Sequence, residues 1–280
     1  MALRARVRRH TGLYRPVAIF IVPCVWEGLS VRLEGEIVVL EPLEPMHEEE
    51  LRVAGADPEI WRWMIVHGHD PETFTGWLDM TMKAAAAGRE TPFAIVLRET
   101  GRVVGSTRYL SLRPEHRGLE IGYTWHSRDV WGKGVNIEAK YLLLEHAFER
   151  AGCMRVEFKT DAKNDRARAA LEALPARFEG IFLSHMLVRD GEVRDSAWYA
   201  ITEAEWPAVK ANLRRRIGQK RGGARRARRS ARRSPRRPRA SARPGREALP
   251  RTGAHPEGRL RGLAPGRGVA PPRYRRFGPV

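Results

Sequence analysis

One stretch of this chain restricts its fold more than any other. Leu119-Glu120-Ile121-Gly122-Tyr123-Thr124-Trp125 reads as a strand. Asp129-Val130-Trp131-Gly132-Lys133-Gly134 follows as a glycine-bearing turn, and Val135-Asn136-Ile137-Glu138-Ala139-Lys140 opens a helical pattern. Glycine takes backbone conformations that other residues resist and lets a ligand approach its N–H. The first N–H groups of a helix lack internal partners and lie at the positive end of its dipole. Strand, glycine turn and helix start together therefore suit a diphosphate.

The surrounding pattern is mixed α/β between residues 31 and 216. Strands are predicted at 36–40, 93–98, 103–112, 119–126, 155–160, 178–188 and 193–201, on apolar runs bounded by turn residues. Glu99-Thr100-Gly101-Arg102 and Arg189-Asp190-Gly191-Glu192 each read as a hairpin turn. Helices are predicted at 45–54, 58–64 and 71–87, each opening on proline, and at 164–174 and 203 to about 216. In the helix after the glycine turn, Ala139, Leu142, Leu143 and Ala147 form one apolar stripe, which Gly152 ends.

Charge divides the chain. The net charge is +18, and residues 217–280 hold 20 Lys/Arg against Glu247 and Glu257. The middle of the chain is mildly acidic, so the overall basicity says nothing about its ligand. The 217–280 segment has no apolar period and is rich in Arg, Pro and Gly. It reads as a disordered basic tail, either a tether to nucleic acid or the ribosome or a solvated extension without a role. Residues 1–30 read as a poorly ordered leader. Its apolar run at 17–25 is too short to span a bilayer and is interrupted by Pro23, so no membrane association is expected. Two cysteines, Cys24 and Cys153, exclude a disulfide framework and suit a reducing, cytoplasmic setting. His67 and His69 form the closest histidine pair, without the ligand spacing of a metal site, so no metal is expected.

These segments, in this order, resemble the GNAT superfamily of N-acyltransferases and its RimJ/RimL-like branch. The likeness covers roughly residues 31–215. It is closest in Trp131 to Leu144 with His146-Ala147-Phe148-Glu149, in Asn164-Asp165-Arg166, and in Asp190 to Asp195. It implies a single α/β (α+β) domain with a central, mixed, mostly antiparallel sheet, splayed and flanked by helices. It also implies acetyl-CoA as co-substrate and a primary amine as acceptor, either a protein N-terminus or a small amine. The superfamily's coenzyme loop, Gln/Arg-x-x-Gly-x-Gly/Ala, falls on Trp131, Gly132, Lys133, Gly134, Val135 and Asn136. Gly134 matches; Trp131 and Asn136 depart. By the same resemblance the pantetheine arm passes between the strands at 119–126 and 155–160. A backbone N–H near Thr124, Trp125 or His126 then polarises the thioester carbonyl, and Asn164 contacts the arm; apart from the resemblance, Asn164 also suits a helix N-cap.

Attack requires a neutral amine. A free α-amine has a pKa of about 7.7–8.0 and a lysine about 10.4, so a base helps. Glu120 is the first candidate base and His185 the second. Some relatives carry Ser or Tyr as an acid for the departing thiolate where this chain has Ala167 and Leu171. Pro175 replaces a glycine that caps the preceding helix, so an altered helix end is expected. Trp61, Trp63, Trp77, Trp125 and Trp198 are candidates for the acceptor pocket or for the core. Ala167, Leu171 and Pro175 also keep open a coenzyme-binding domain with little catalysis. The basic tail keeps open a nucleic-acid-associated role. No residue pattern sets the acceptor or the oligomeric state.

Overall fold

The computed structural model describes residues 26–233, with side chains described to residue 223. The run at 17–25, Cys24 and the chain after 233 lie outside the described residues. The strands are β1 (Leu33–Glu34), β2 (Val38–Pro42), β3 (Thr91–Leu97), β4 (Val103–Arg113), β5 (Gly118–His126), β6 (Arg155–Asp161), β7 (Arg177–Val188) and β8 (Glu192–Thr202). The helices are α1 (Glu48–Ala54), α2 (Pro71–Ala86), α3 (Val135–Glu149), α4 (Asp165–Glu172) and α5 (Trp206–Arg233). One sheet runs β1-β2-β3-β4-β5-β6-β8-β7. Every neighbouring pair is antiparallel except β5 and β6. The mixed, mostly antiparallel α/β fold expected from the sequence is thus present.

Alternation along the strands feeds two cores. Val38, Leu40, Phe93, Ile95, Tyr109, Leu119, Ile121, Val156 and Phe158 pack with α3 and α5. Val39, Ala94, Val96, Val103 and Trp125 face the other way, onto α1 and α2. Each fully buried aliphatic or aromatic side chain contributes about 1.5–3 kcal/mol. In α2, Phe74, Trp77, Leu78, Thr81 and Ala84 make the buried stripe. Its start is fixed by Pro71 and by Asp70, whose carboxylate accepts the Thr73 N–H at 2.9 Å. Cys153 is buried, and burial pushes its thiol pKa up to about 12, so it behaves as a small apolar side chain.

Four elements differ from the sequence expectation. The helix expected over 58–64 is a single turn at Pro58–Ile60. Here the chain wraps Trp61, whose indole donates to the Gly55 carbonyl at 2.7 Å and packs against Gly68. The leader does not run to residue 30, because Leu29 lies in the main core. The last helix does not stop near 216, so the basic segment expected to be disordered from 217 is helical to Arg233. Ile217 is buried, Lys220 packs beside Gly134 and Arg221 pairs with Glu36, which carries the helix onward. Helix α4 ends at Glu172, and the Ala176 N–H still closes onto the Leu171 carbonyl. Pro175 has φ +25, a strained value for a proline ring, so the helix end is altered there as its sequence leads one to expect.

Glu138 ties the sheet edge to α3. Its buried carboxylate accepts the N–H groups of Glu36 (2.9 Å), Ile37 (2.5 Å) and Val38 (2.6 Å). Removing it leaves three donors unsatisfied. Glu138→Ala is expected to lower unfolding free energy by about 3 kcal/mol in denaturant melts. A loss within the range of an ordinary surface substitution would contradict that role.

Candidate active site

The parallel ladder between β5 and β6 is short. It pairs Gly118 with Arg155, Leu119 with Val156 and Glu120 with Glu157, and then ends. Beyond that point the strands separate, and the gap is part of a cleft of about 540 Å³. On its other edge, β5 carries a bulge against β4. Ser106 faces Trp125 and Arg108 faces Gly122, leaving Tyr123 and Thr124 without register partners. Tyr123 takes φ +47. The irregular stretch of β5 thus begins just upstream of the 124–126 segment expected to hold the carbonyl donor.

At one end of the cleft lie Trp131, Gly132, Gly134 and Asn136. Gly132 has φ +74, and a β-carbon there would meet nothing within 4 Å. Gly134 has φ +95 and immediately precedes α3, whose start no side chain caps. Open space, left-handed glycines and uncapped helix N–H groups fit a diphosphate. Val135 contributes only its backbone, since its side chain is core, and the Lys133 side chain points to solvent. Arg216 and Lys220 of α5 join this wall, a contribution that a helix ending at 216 would have halved. Arg166 lies 3.9 Å over the Trp131 ring, whose indole N–H donates to the His126 carbonyl at 3.0 Å. Asn164 caps α4 by accepting the Ala167 N–H at 3.1 Å and also lines the cleft, so both roles expected of it are geometrically open.

The gap itself has a charged floor. Lys140, 8% exposed, donates to Thr124 Oγ1 at 2.8 Å and sits 5.2 Å from the Phe158 ring centre. Thr124 in turn bonds Thr107 at 2.8 Å. Burial lowers the Lys140 pKa from 10.5 to about 7, although Glu120 opposes the shift. Burial, with Arg166 and Lys140 nearby, lowers the His126 pKa to about 4, so that ring is neutral at pH 7. Trp125 lies in the aromatic cluster with Trp61 and Trp77 and reaches the cleft only at its margin.

The other end of the cleft holds Glu120, Tyr123, Lys159, Met186 and Arg194. Glu120 is 1% exposed and is the last residue paired before the strands part. Its carboxylate accepts from Lys159 Nζ at 3.0 Å and Ser111 Oγ at 3.2 Å. Arg108 lies 4.2 Å over the Tyr123 ring and is itself held by Glu90 and Thr81. His185 stands to the side. Its Nδ1 is 3.0 Å from Ser196 Oγ, its ring packs edge-on against Trp198, and it is not on the described cleft wall. Burial lowers its pKa, and Lys159 and Arg194 add to that. Of the tryptophans, Trp63 lines the cleft, Trp61 and Trp77 are core, and Trp198 packs beside Lys159. His67 pairs with Asp190 at 3.2 Å.

Sequence reasoning missed Lys140, Lys159 and Arg194. Lys140 gave a readable signal, because it stands three and four residues before Leu143 and Leu144, on the buried stripe of α3. A charge on such a stripe marks either a paired group or a cavity.

Residues 38–177 match the family described as acetyltransferase (GNAT) domain. Bacillus licheniformis p20, an uncharacterized N-acetyltransferase, is 25% identical over 62% of this chain and 97% of its own. The crystal structure of a GCN5-related N-acetyltransferase from Brucella melitensis is 30% identical. It covers 67% of this chain and 86% of that one, with a TM-score of 0.62. A protein from T. thermophilus described as an acetyltransferase is 36% identical. It covers 66% of this chain and 96% of that one, with a TM-score of 0.60.

The lowered Lys140 pKa has a thermodynamic consequence. Between pH 7 and about 10 the unfolded lysine is protonated while the folded one is not. Unfolding then takes up a proton, so stability from this group rises with pH between about 7 and about 10, and levels off below 7 where both states are protonated. Wild type should therefore gain a few kcal/mol relative to Lys140→Met between pH 7 and pH 10, measured by denaturant melts. Taking the difference cancels the opposing titration of Cys153. A pH-independent difference would show that Lys140 stays charged in the fold.

Proposed function

Because the chain belongs to the acetyltransferase (GNAT) family, an acyl-CoA-dependent class of transferase, we propose that it moves an acetyl group from acetyl-CoA to a primary amine by direct attack. The observation that carries this reading is the continuity of the cleft. The glycine loop, the gap between β5 and β6, and the Glu120 pocket form one continuous passage. Acetyl-CoA supplies the activated acyl group when bound.

Backbone N–H groups around Gly132, Gly134 and the start of α3 would hold its diphosphate, with Arg216 and Lys220 adding positive charge. Asn164 and Thr160 flank the passage of the arm. The unpaired backbone at Tyr123–Thr124 would present a donor to the carbonyl oxygen, a fixed dipole aimed where negative charge grows. Glu120 would take the proton from the attacking amine, directly or through one water. Lys140 would supply a proton to the sulfur. That role fits α4, where Ala167 and Leu171 stand in place of an acid. His185 is the weaker base, because it lies off the cleft wall and its surroundings disfavour the protonated ring.

The RimJ/RimL-like residues favour an amine of the α-amino type, as at a protein N-terminus. Coenzyme release from acetyl-CoA with amine acceptors tests the reading. Glu120→Gln is expected to lower kcat/KM about a hundredfold, mainly through kcat. Unchanged kcat/KM would remove Glu120 from the proton path. Stable coenzyme binding without turnover of any amine would favour a binding domain instead.

A further inference from the structure

The buried charges of the domain are almost all matched. Arg108 pairs with Glu90 at 2.6 Å, Glu120 with Lys159, and Glu157 with Arg113 at 2.8 Å and Arg155 at 2.7 Å. Glu138 accepts three N–H groups and Asp161 accepts the Lys163 N–H at 2.9 Å, while Lys140 has only the neutral Thr124 hydroxyl. Arg194 differs from all of these. It is 7% exposed, lines the acceptor end of the cleft, and makes no side-chain hydrogen bond or ion pair among the described residues. Its Nε is buried without a partner. Asp161, Glu120 and Tyr123 act on it electrostatically, but none forms an ion pair with it.

A guanidinium taken out of water without a partner is strongly destabilising. Its donors form a rigid planar fork that matches a carboxylate two bonds at a time. Arg194 is held in register on β8, opposite Met186 of β7. It shares its face of β8 with Ser196 and Trp198, two and four residues along, and Trp198 lies opposite Lys159 of β6. Lys159 in turn holds Glu120. A group bound to Arg194 would therefore enter the same compartment as the amine facing Glu120.

We propose that Arg194 is an acceptor-binding residue that docks a carboxylate carried by the amine substrate. This rests on the acetyl-transfer reading and narrows it to amines bearing an acid. A free amino acid supplies that carboxylate on its own carbon chain, and a peptide N-terminus supplies it on an acidic side chain.

The test uses the full chain and acetyl-CoA. Coenzyme release is measured with free amino acids against their carboxamides, and with acidic dipeptides against their side-chain amides. Wild type should prefer the acid member of a responding pair by about tenfold or more, mainly through KM, and the preference should fall toward one in Arg194→Gln. Preference confined to the first series identifies a free amino acid, and preference confined to the second identifies an acidic peptide. Ligand-free Arg194→Met should also melt at a higher temperature than wild type, because it removes an unpaired buried charge. Equal use of acid and amide by the wild type would overturn the carboxylate site and leave acetyl transfer standing, as would a lower melting temperature for Arg194→Met. If no amine is turned over, melts with N-acetyl amino acids separate the two claims. Stabilisation that requires Arg194 keeps the anion site and strikes only the transfer reading; no stabilisation overturns the site as well.

Discussion

The cleft depends on where one strand ladder stops. Strands β5 and β6 pair for three residues and then part after Glu120 and Glu157. Parallel strands without hydrogen-bonded partners expose backbone polar groups, which must be satisfied by other means. The bulge at Tyr123 bends β5 away, α4 closes over β6, and the gap is left for a ligand rather than for another strand. One topological feature thus creates a route from the glycine loop to the Glu120 pocket. It also decides which side chains face that route, since alternation puts Glu120 and Lys159 on one face and Phe158 and Thr160 on the other.

Charge inside the domain follows the same geometry. Each buried ionic group that supports the scaffold has a partner, as Glu138 does at the β1–β2 turn and Arg108 beneath Tyr123. The groups with weak or missing compensation, Lys140 and Arg194, both stand on the cleft. Burial pulls the Lys140 pKa down to about 7, where its proton can be exchanged near neutral pH. Such uncompensated charge costs stability in the protein without a ligand. Helix α5, where the basic segment begins, brings Arg216 and Lys220 to the cleft that the glycine turn also lines.

Much of this was legible in the residues. Apolar runs and turn signals located most strands and both long hairpins, and the glycine pattern located the start of α3 at Val135. Asn164 read correctly as a cap and remains a cleft residue. Local pattern failed where tertiary contacts decide. The 58–64 segment has helical spacing, yet burying Trp61 with its indole bonded to Gly55 breaks the helix after one turn. The 217–233 segment looks solvated, yet Ile217, Lys220 and Arg221 find partners on elements distant in sequence. Lys140, Lys159 and Arg194 escaped because a charge in a strand or helix reads as surface until the fold shows which faces are covered.

A calorimetric titration of acetyl-CoA into the full chain, beside Gly132→Asp, tests the central claim that the glycine turn and the parted strands form a coenzyme site. A β-carbon at residue 132 meets no atom in the free protein, and aspartate tolerates positive φ better than most residues, so the variant should fold. The predicted result is saturable binding to wild type and binding at least about tenfold weaker to the variant, whose carboxylate repels the diphosphate. Equal binding by the two proteins, or no binding by a folded wild type, would contradict the account.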